Sequence, residues 1–197
     1  MHNDDLLVED TEFENLHILI KYDDTSGDFE TPRDWGNLGT MYCWHRNYEL
    51  GDKHPYKNCT PDEMLEIIKE DEGDTFMLPV YLYDHSGLRM STGSFNDRWD
   101  SGQVGFIYVS KKKVREEYSC KRITKKLEEK VYKILEAEVE TYDQYLSGQV
   151  YGFVVEDENE NVLDSCWGFY GLDYCKEEGL SSAKSIYENS IGYGGGI

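Results

Sequence analysis

Apolar positions recur along this chain with two periods, and the switch between them outlines the fold. In LHILIKY, residues 16–22, Leu16, Ile18, Ile20 and Tyr22 fall on one side, the period of two that a half-buried strand requires. FMLPVYLY, residues 76–83, reads as a second strand whose Pro79 suits a strand start or an edge. In GQVGFIYVS, residues 102–110, Val104, Phe106 and Tyr108 face one way while Ile107 and Val109 face the other. Apolar residues on both faces predict a central strand. QVYGFVVE and VLDSCWGFYG flank the polar turn DENEN and predict a strand pair, and MYCWHRNYEL is a further strand candidate.

The helical period appears in three places. TPDEMLEIIKED starts with Thr60, has Pro61 at the first helical position and Glu63 three residues after the cap. That is a capping box, followed by Met64, Leu65, Ile67 and Ile68 on one apolar side. Ile123, Leu127, Val131, Ile134, Leu135, Val139, Tyr142 and Leu146 recur at spacings of three and four, predicting one long helix over about 122–146 that ends near Gly148. Its apolar stripe should lie on the sheet, with the lysines of its first half in solvent. Ser110 can cap a short helix in KKKVREEY, and YCKEEGLSSAKSIYENS is a weaker helix. Strands and helices mixed without strict alternation predict an α+β fold: a single domain over 16–190, mainly antiparallel sheet, with the long helix packed on one face and shorter helices beside it. Residues 1–15 read as a flexible acidic N-terminus, and 191–197 as a flexible Gly-rich tail.

Composition narrows the class. With 39% hydrophobic and 14% aromatic residues the chain has too much apolar material for disorder, and no run approaches a membrane span. The acidic opening MHNDDLLVEDTEF lacks the basic and apolar regions of a secretion signal, so the chain reads as cytoplasmic. Five cysteines at wide spacing, none in a CxxC pair, argue against a disulfide framework or a zinc site. Cys43 and Cys166, beside tryptophans, read as small core residues.

Charge changes the picture most. Forty acids against 20 bases give a net −20, far beyond what solubility requires. Binding to duplex phosphate needs the opposite sign, so sequence-independent DNA binding is disfavoured. Residues 111–133 depart from the rest, with ten bases and four acids, a net +6 within a body of −26. As a helix face such a run is usually solvated, though Lys111, Lys112, Lys113, Lys121, Arg122, Lys125 and Lys126 are the candidates for contact with a nucleic acid or an acidic partner surface.

The stretch YDHSGLRMSTGSFNDRWDSGQVGFIYV, residues 83–109, offers Asp84, His85, Ser86 and Asp100. Consecutive residues on extended chain point in opposing directions, so Asp84, His85 and Ser86 cannot form a triad among themselves. The stretch reads as a polar connector in which Asp84 and His85 organise the turn before Gly87, and a catalytic His85 would need a distant serine or carboxylate as partner. His45 and His54 with Cys43, Asp52 and Cys59 match no metal-ligand spacing, and DDTSGD and DENEN resemble calcium loops in composition only. No GK[ST] phosphate loop occurs. No metal and no cofactor are expected.

At YLYDHSGLRMST, WDSGQVGFIYVS, EVETYDQYLSGQVYGFVVEDE and DSCWGFYG the chain resembles a family of small acidic proteins carried by phages and mobile elements of Gram-positive bacteria. The resemblance covers roughly residues 79–171 and extends more weakly to PRDWGNLGTMYCWH and NYELGD. It implies a setting in which host defence, including restriction and CRISPR nucleases, is countered, and it carries over no catalytic residue. Joined to the charge, it leads to the expectation of an anti-CRISPR protein that binds a Cas9-type nuclease or its guide complex through an acidic, phosphate-like surface. The acids expected to form that surface are Asp23, Asp24, Asp28, Glu30 and Asp34, then Glu70, Asp71, Glu72 and Asp74, then Asp157, Glu158 and Glu160. The alternatives are an anti-restriction DNA mimic, or an enzyme with a His85-centred pocket including Asp84 and Asp100. A homodimer joining the basic helix to an acidic patch is a further arrangement.

Overall fold

A computed structural model describes residues 6–24, 31–56, 59–97 and 99–192. In chain order the strands and helices begin with β1 (Leu7–Phe13), β2 (Leu16–Tyr22), a 3-10 turn (Pro32–Asp34), β3 (Thr40–Cys43), α1 (Pro61–Glu72), β4 (Thr75–Asp84) and β5 (Leu88–Ser91). They continue with β6 (Ser101–Ser110), α2 (Lys111–Glu117), α3 (Lys125–Leu146), β7 (Val150–Asp157), β8 (Val162–Tyr170) and α4 (Leu172–Gly192). The α+β class matches the pattern, and its strands make two antiparallel four-stranded sheets, ordered β1-β2-β7-β8 and β3-β6-β4-β5. The chain divides into two compact units: residues 1–29 with 148–197, and residues 30–147.

The unit of residues 30–147 holds the sheet β3-β6-β4-β5. Its β6 lies between β3 and β4, the central position that its two apolar faces predict. The core joins Met41, Val80, Ile107 and Val109 of the strands to Val131, Leu135 and Val139 of α3, all fully or almost fully buried. Thr124 caps α3 by accepting from the Leu127 amide, so the long helix starts at Lys125 rather than 122 and packs on β5, β4 and β6. Thr60 and Glu63 form the expected capping box of α1, and Ser110 caps α2. Gly105 of β6 sits so close to β3 that a Cβ there would lie 2.1 Å from the Tyr42 carbonyl oxygen.

Two expectations are corrected here. Between β4 and β6 the chain is not one connector, because Leu88–Ser91 pairs with β4 as β5 after a tight turn at His85–Gly87. MYCWHRNYEL is a strand only as far as Cys43.

In the other unit, α4 covers one face of β1-β2-β7-β8. Leu16, Ile18 and Ile20 of β2 and Tyr151, Phe153 and Val155 of β7 meet Cys175 and Ala183 of α4. Residues 7–13, expected within a flexible acidic N-terminus, form a strand along β2. Their acids do not prevent this, since an edge strand needs only main-chain pairing and a few apolar contacts. Glu9 pairs with Lys176, Asp10 with His17 at 3.3 Å, and Phe13 meets Tyr187 edge to face. Residues 1–5 and 193–197, the outer parts of the two terminal expectations, lie outside the described residues.

Candidate partner-binding surfaces

The division into units reorganises the charge. Residues 1–29 and 148–197 contain 18 acids and 3 bases, a net −15. Residues 30–147 contain 22 acids and 17 bases, a net −5. The two account for the whole −20, so three quarters of the surplus belongs to the smaller unit.

The acids expected to bind a partner fall on both units. In the smaller one, Asp23 is half-buried and its amide donates to the Val150 carbonyl, while Asp24 is exposed. Asp157 organises the β7–β8 turn: it accepts from the Asn161 side chain at 2.9 Å and from the Asn161 and Asn159 amides at 2.9 and 2.8 Å. Those hydrogen bonds, the Asn161 side chain first, hold its carboxyl below the ordinary aspartate value. Glu158 and Glu160 stand exposed on the turn, with Glu160 in the left-handed region at φ 61°. The same unit exposes acids that the expected set omits, among them Glu12 in β1 and Glu177 and Glu178 in α4. Their signal was present in the sequence as the near absence of bases from both chain ends.

In the larger unit, Asp34 is occupied as a cap, accepting from the Thr31 amide and hydroxyl at 2.9 and 3.0 Å. Glu70, Asp71 and Glu72 lie exposed on the last turn of α1, where the helix dipole disfavours negative charge. Asp71 accepts from the Tyr56 hydroxyl at 2.6 Å, which pushes that phenol up to about 12. Asp74 pairs with Lys111 at 3.5 Å. Asp28 and Glu30 lie outside the described residues.

Of the basic candidates, two have structural work. Lys111 also lies over the Phe76 ring, and the Lys113 ammonium donates to the Asn37 and Leu38 carbonyls at 3.2 and 2.8 Å. Lys112, Lys125 and Lys126 are exposed on helices, as expected of a solvated face, while Lys121 and Arg122 are exposed in the connection between α2 and α3.

His85 meets one of its expected neighbours. Its Nδ1 lies 2.9 Å from Asp100, whereas Asp84 instead accepts from the Tyr48 hydroxyl at 3.4 Å. The His85 side chain is 63% exposed, and Ser86 takes φ 53° in the turn. This is a surface pair beside a tight turn. Nearby, Asp97 accepts from the Trp99 and Asp100 amides, which holds its carboxyl below its ordinary value, and the Trp99 ring is 95% exposed.

The histidines and cysteines near residue 50 do not converge. His54 Nε2 lies 2.6 Å from the Cys43 carbonyl, His45 stacks on Tyr48, and Asp52 belongs to a buried arginine. Among the described residues no group of three or more potential ligands could hold a metal. Burial pushes the Cys43 thiol up to about 12, as befits a core residue. Cys166 is the correction: it is exposed on β8, because β8 is an edge strand.

Sequence reasoning missed the two buried ionic nodes of the larger unit. Arg33, its side chain only 4% exposed, donates to both Asp52 oxygens at 2.9 and 2.8 Å, to Glu138 at 3.2 Å and to the Gly39 carbonyl at 2.8 Å. Burial opposes its charge, but the hydrogen bond and charge of Asp52, then those of Glu138, hold its pKa above the ordinary value. Asp143, also buried, takes Arg89 at 3.0–3.1 Å and the Met90 amide at 2.6 Å. These residues lie in PRDWGNLG, NYELGD, GLRMST and EVETYDQY, where their work is to hold the larger unit together.

A final feature lies in the smaller unit. An open groove of about 370 Å³ runs between β8 and α4, with Phe153, Phe169 and Ile186 as its apolar lining. Asp164 and Cys166 of β8 and Glu178, Ser181, Ser182 and Ser185 of α4 supply its polar groups. Ser182 donates to Asp164 across it. Compared with known proteins, the chain matches no family model, no curated protein and no solved structure. Among the described residues no helix is long and apolar enough to cross a membrane.

Proposed function

We propose that this is an anti-defence protein that binds a cationic nucleic-acid groove, with a guide-loaded Cas9-type nuclease as the leading target. The reading rests on one observation, the 18 acids and 3 bases of the smaller unit. A net −15 on a unit of that size opposes its own folding through self-repulsion, a cost that binding to a positive groove would relieve. Exposed Asp24, Glu158 and Glu160, with the acids of β1 and α4, supply the phosphate-like charge. Lys- and Arg-lined channels that hold a heteroduplex are complementary to it in sign. Desolvated charge pairs contribute roughly 1.5 kcal/mol or more each, so a handful would compete with DNA at low salt. The His85–Asp100 pair is a solvent-exposed contact, and this reading assigns it no chemistry.

The test is a titration of guide-loaded nuclease and target DNA with the purified protein. Cleavage should cease near one equivalent, and inhibition should weaken steeply as salt rises. Unchanged cleavage with no complex, across several Cas9-type nucleases, would overturn the reading; inhibition of a restriction nuclease instead would move the same surface to a different target.

A further inference from the structure

The smaller unit has a second asymmetry besides charge. β8 is the outer strand of β1-β2-β7-β8, and residues 162–168 along it are all exposed. It is nine residues long and carries Val162, Leu163 and Trp167 at 56%, 45% and 46% exposure. Long edge strands with apolar side chains are normally shortened, covered or studded with lysine, because their outer main-chain groups template pairing with another strand. β8 has no lysine or arginine and one acid, Asp164. Along its α4 side lies the groove, in which Asp164 and Cys166, two residues apart on the strand, face Glu178 and the three serines of α4.

We infer that β8 is a strand-addition site for an extended segment of a partner protein, with a lysine or arginine of that segment entering the groove between β8 and α4. Main-chain hydrogen bonds to β8 would supply affinity, and alternate side chains would reach the groove and supply selectivity. Asp164 and Glu178 set the sign of the preferred side chain, the serine hydroxyls can accept from its N–H groups, and Phe153, Phe169 and Ile186 receive its methylene stem. The occupant is not a second copy. Pairing two β8 edges would bring together two units of −15, whereas a basic segment is attracted to the same edge. This inference rests on the reading of the smaller unit as partner-binding, and it names the surface and the chemistry of what docks.

The probe is a fluorescent nine-residue peptide of alternating lysine and valine, titrated against the full chain. The comparison peptide has the same length, with proline replacing two central valines. The alternating peptide should bind at least tenfold more tightly, and amide exchange should slow along 162–170 when it does. Leu163→Pro tests the edge: Leu163 sits at the β7–β8 bulge without a register partner, where proline is tolerated. It should weaken binding tenfold or more with circular dichroism unchanged. Asp164→Asn with Glu178→Gln should weaken it about threefold to tenfold and flatten its salt dependence. If Leu163→Pro disturbs the fold, exchange protection in the unaltered chain decides. Equal binding of both peptides, protection confined to 157–161, or protection that appears without peptide as protein concentration rises would overturn the inference. Nuclease inhibition that survives Leu163→Pro would sink strand addition alone, while peptide binding without any nuclease complex would sink the nuclease reading alone.

Discussion

The two units place their charges by opposite rules. In residues 30–147, acids and bases nearly balance, and the most buried ones are paired: Arg33 with Asp52 and Glu138, Arg89 with Asp143. In residues 1–29 and 148–197, 18 acids face 3 bases; one acid, Glu156 of β7, is buried at 5% exposure among an otherwise apolar core. Charge in the larger unit helps to fix a scaffold, whereas in the smaller one, Glu156 apart, most of it accumulates at the surface in excess of its partners. A net charge of −20 read over the whole chain hides that contrast.

The largest effect should come from breaking a buried node. Arg33→Ala leaves Asp52 and Glu138 facing each other without their cation, and should cost about 3–5 kcal/mol. Urea denaturation with region-resolved amide exchange should show the loss confined to residues 30–147; equal loss in both units would break the contrast. Close packing comes next. Gly105→Ala pushes a Cβ against the β3 main chain, so it should cost about 3 kcal/mol, at the upper end for overpacking. Gly152→Ala meets the Trp167 ring at 2.2 Å instead, and a half-exposed ring can swing away. A cost nearer 1 kcal/mol with red-shifted tryptophan emission is expected there.

A smaller effect follows from titration. Asp157 and Glu9 in the smaller unit have carboxyls held below their ordinary values, Asp157 by Asn161 and Glu9 by Lys176. Stability from a depressed carboxyl is complete above its unfolded pKa and is lost as pH falls through the lower folded one. The β7–β8 turn and the β1–α4 contact should therefore loosen only at acid pH, below the ordinary carboxylate range. Exchange at Asn159 and Asn161 that accelerates already between pH 7 and 6 would contradict this. The smallest expected difference is in salt: raising ionic strength from about 0.02 to 0.5 M should slow opening of the −15 unit more than of the −5 unit.

Elements with a strong local period were legible from sequence. The capping box of α1, the stripe of α3, the two-faced β6 and the β7–DENEN–β8 hairpin follow from spacings of two, three or four residues. The pairing of β2 with β7 was not, because it joins Ile20 to Phe153 across more than half the chain. The same gap hid the division into units, and with it the fact that both acidic chain ends belong to one body. Residues 7–13 were misread because acidity masks a strand that needs only main-chain pairing. Cys166 was misplaced because a neighbouring tryptophan signals a core only when the strand is not at an edge. Arg33 and Glu138 are 105 residues apart, and no local pattern marks charges destined for burial.

The most direct measurement compares two sets of neutralised acids for inhibition of a guide-loaded Cas9-type nuclease. One set is Asp24→Asn, Glu158→Gln and Glu160→Gln in the −15 unit; the other is Glu70→Gln, Glu72→Gln and Asp74→Asn in the −5 unit. The expected result is tenfold or greater loss of potency for the first set, little change for the second, and a shallower salt dependence only in the first. Equal losses from both sets, or full potency in the first, would contradict the assignment of partner binding to the acidic unit.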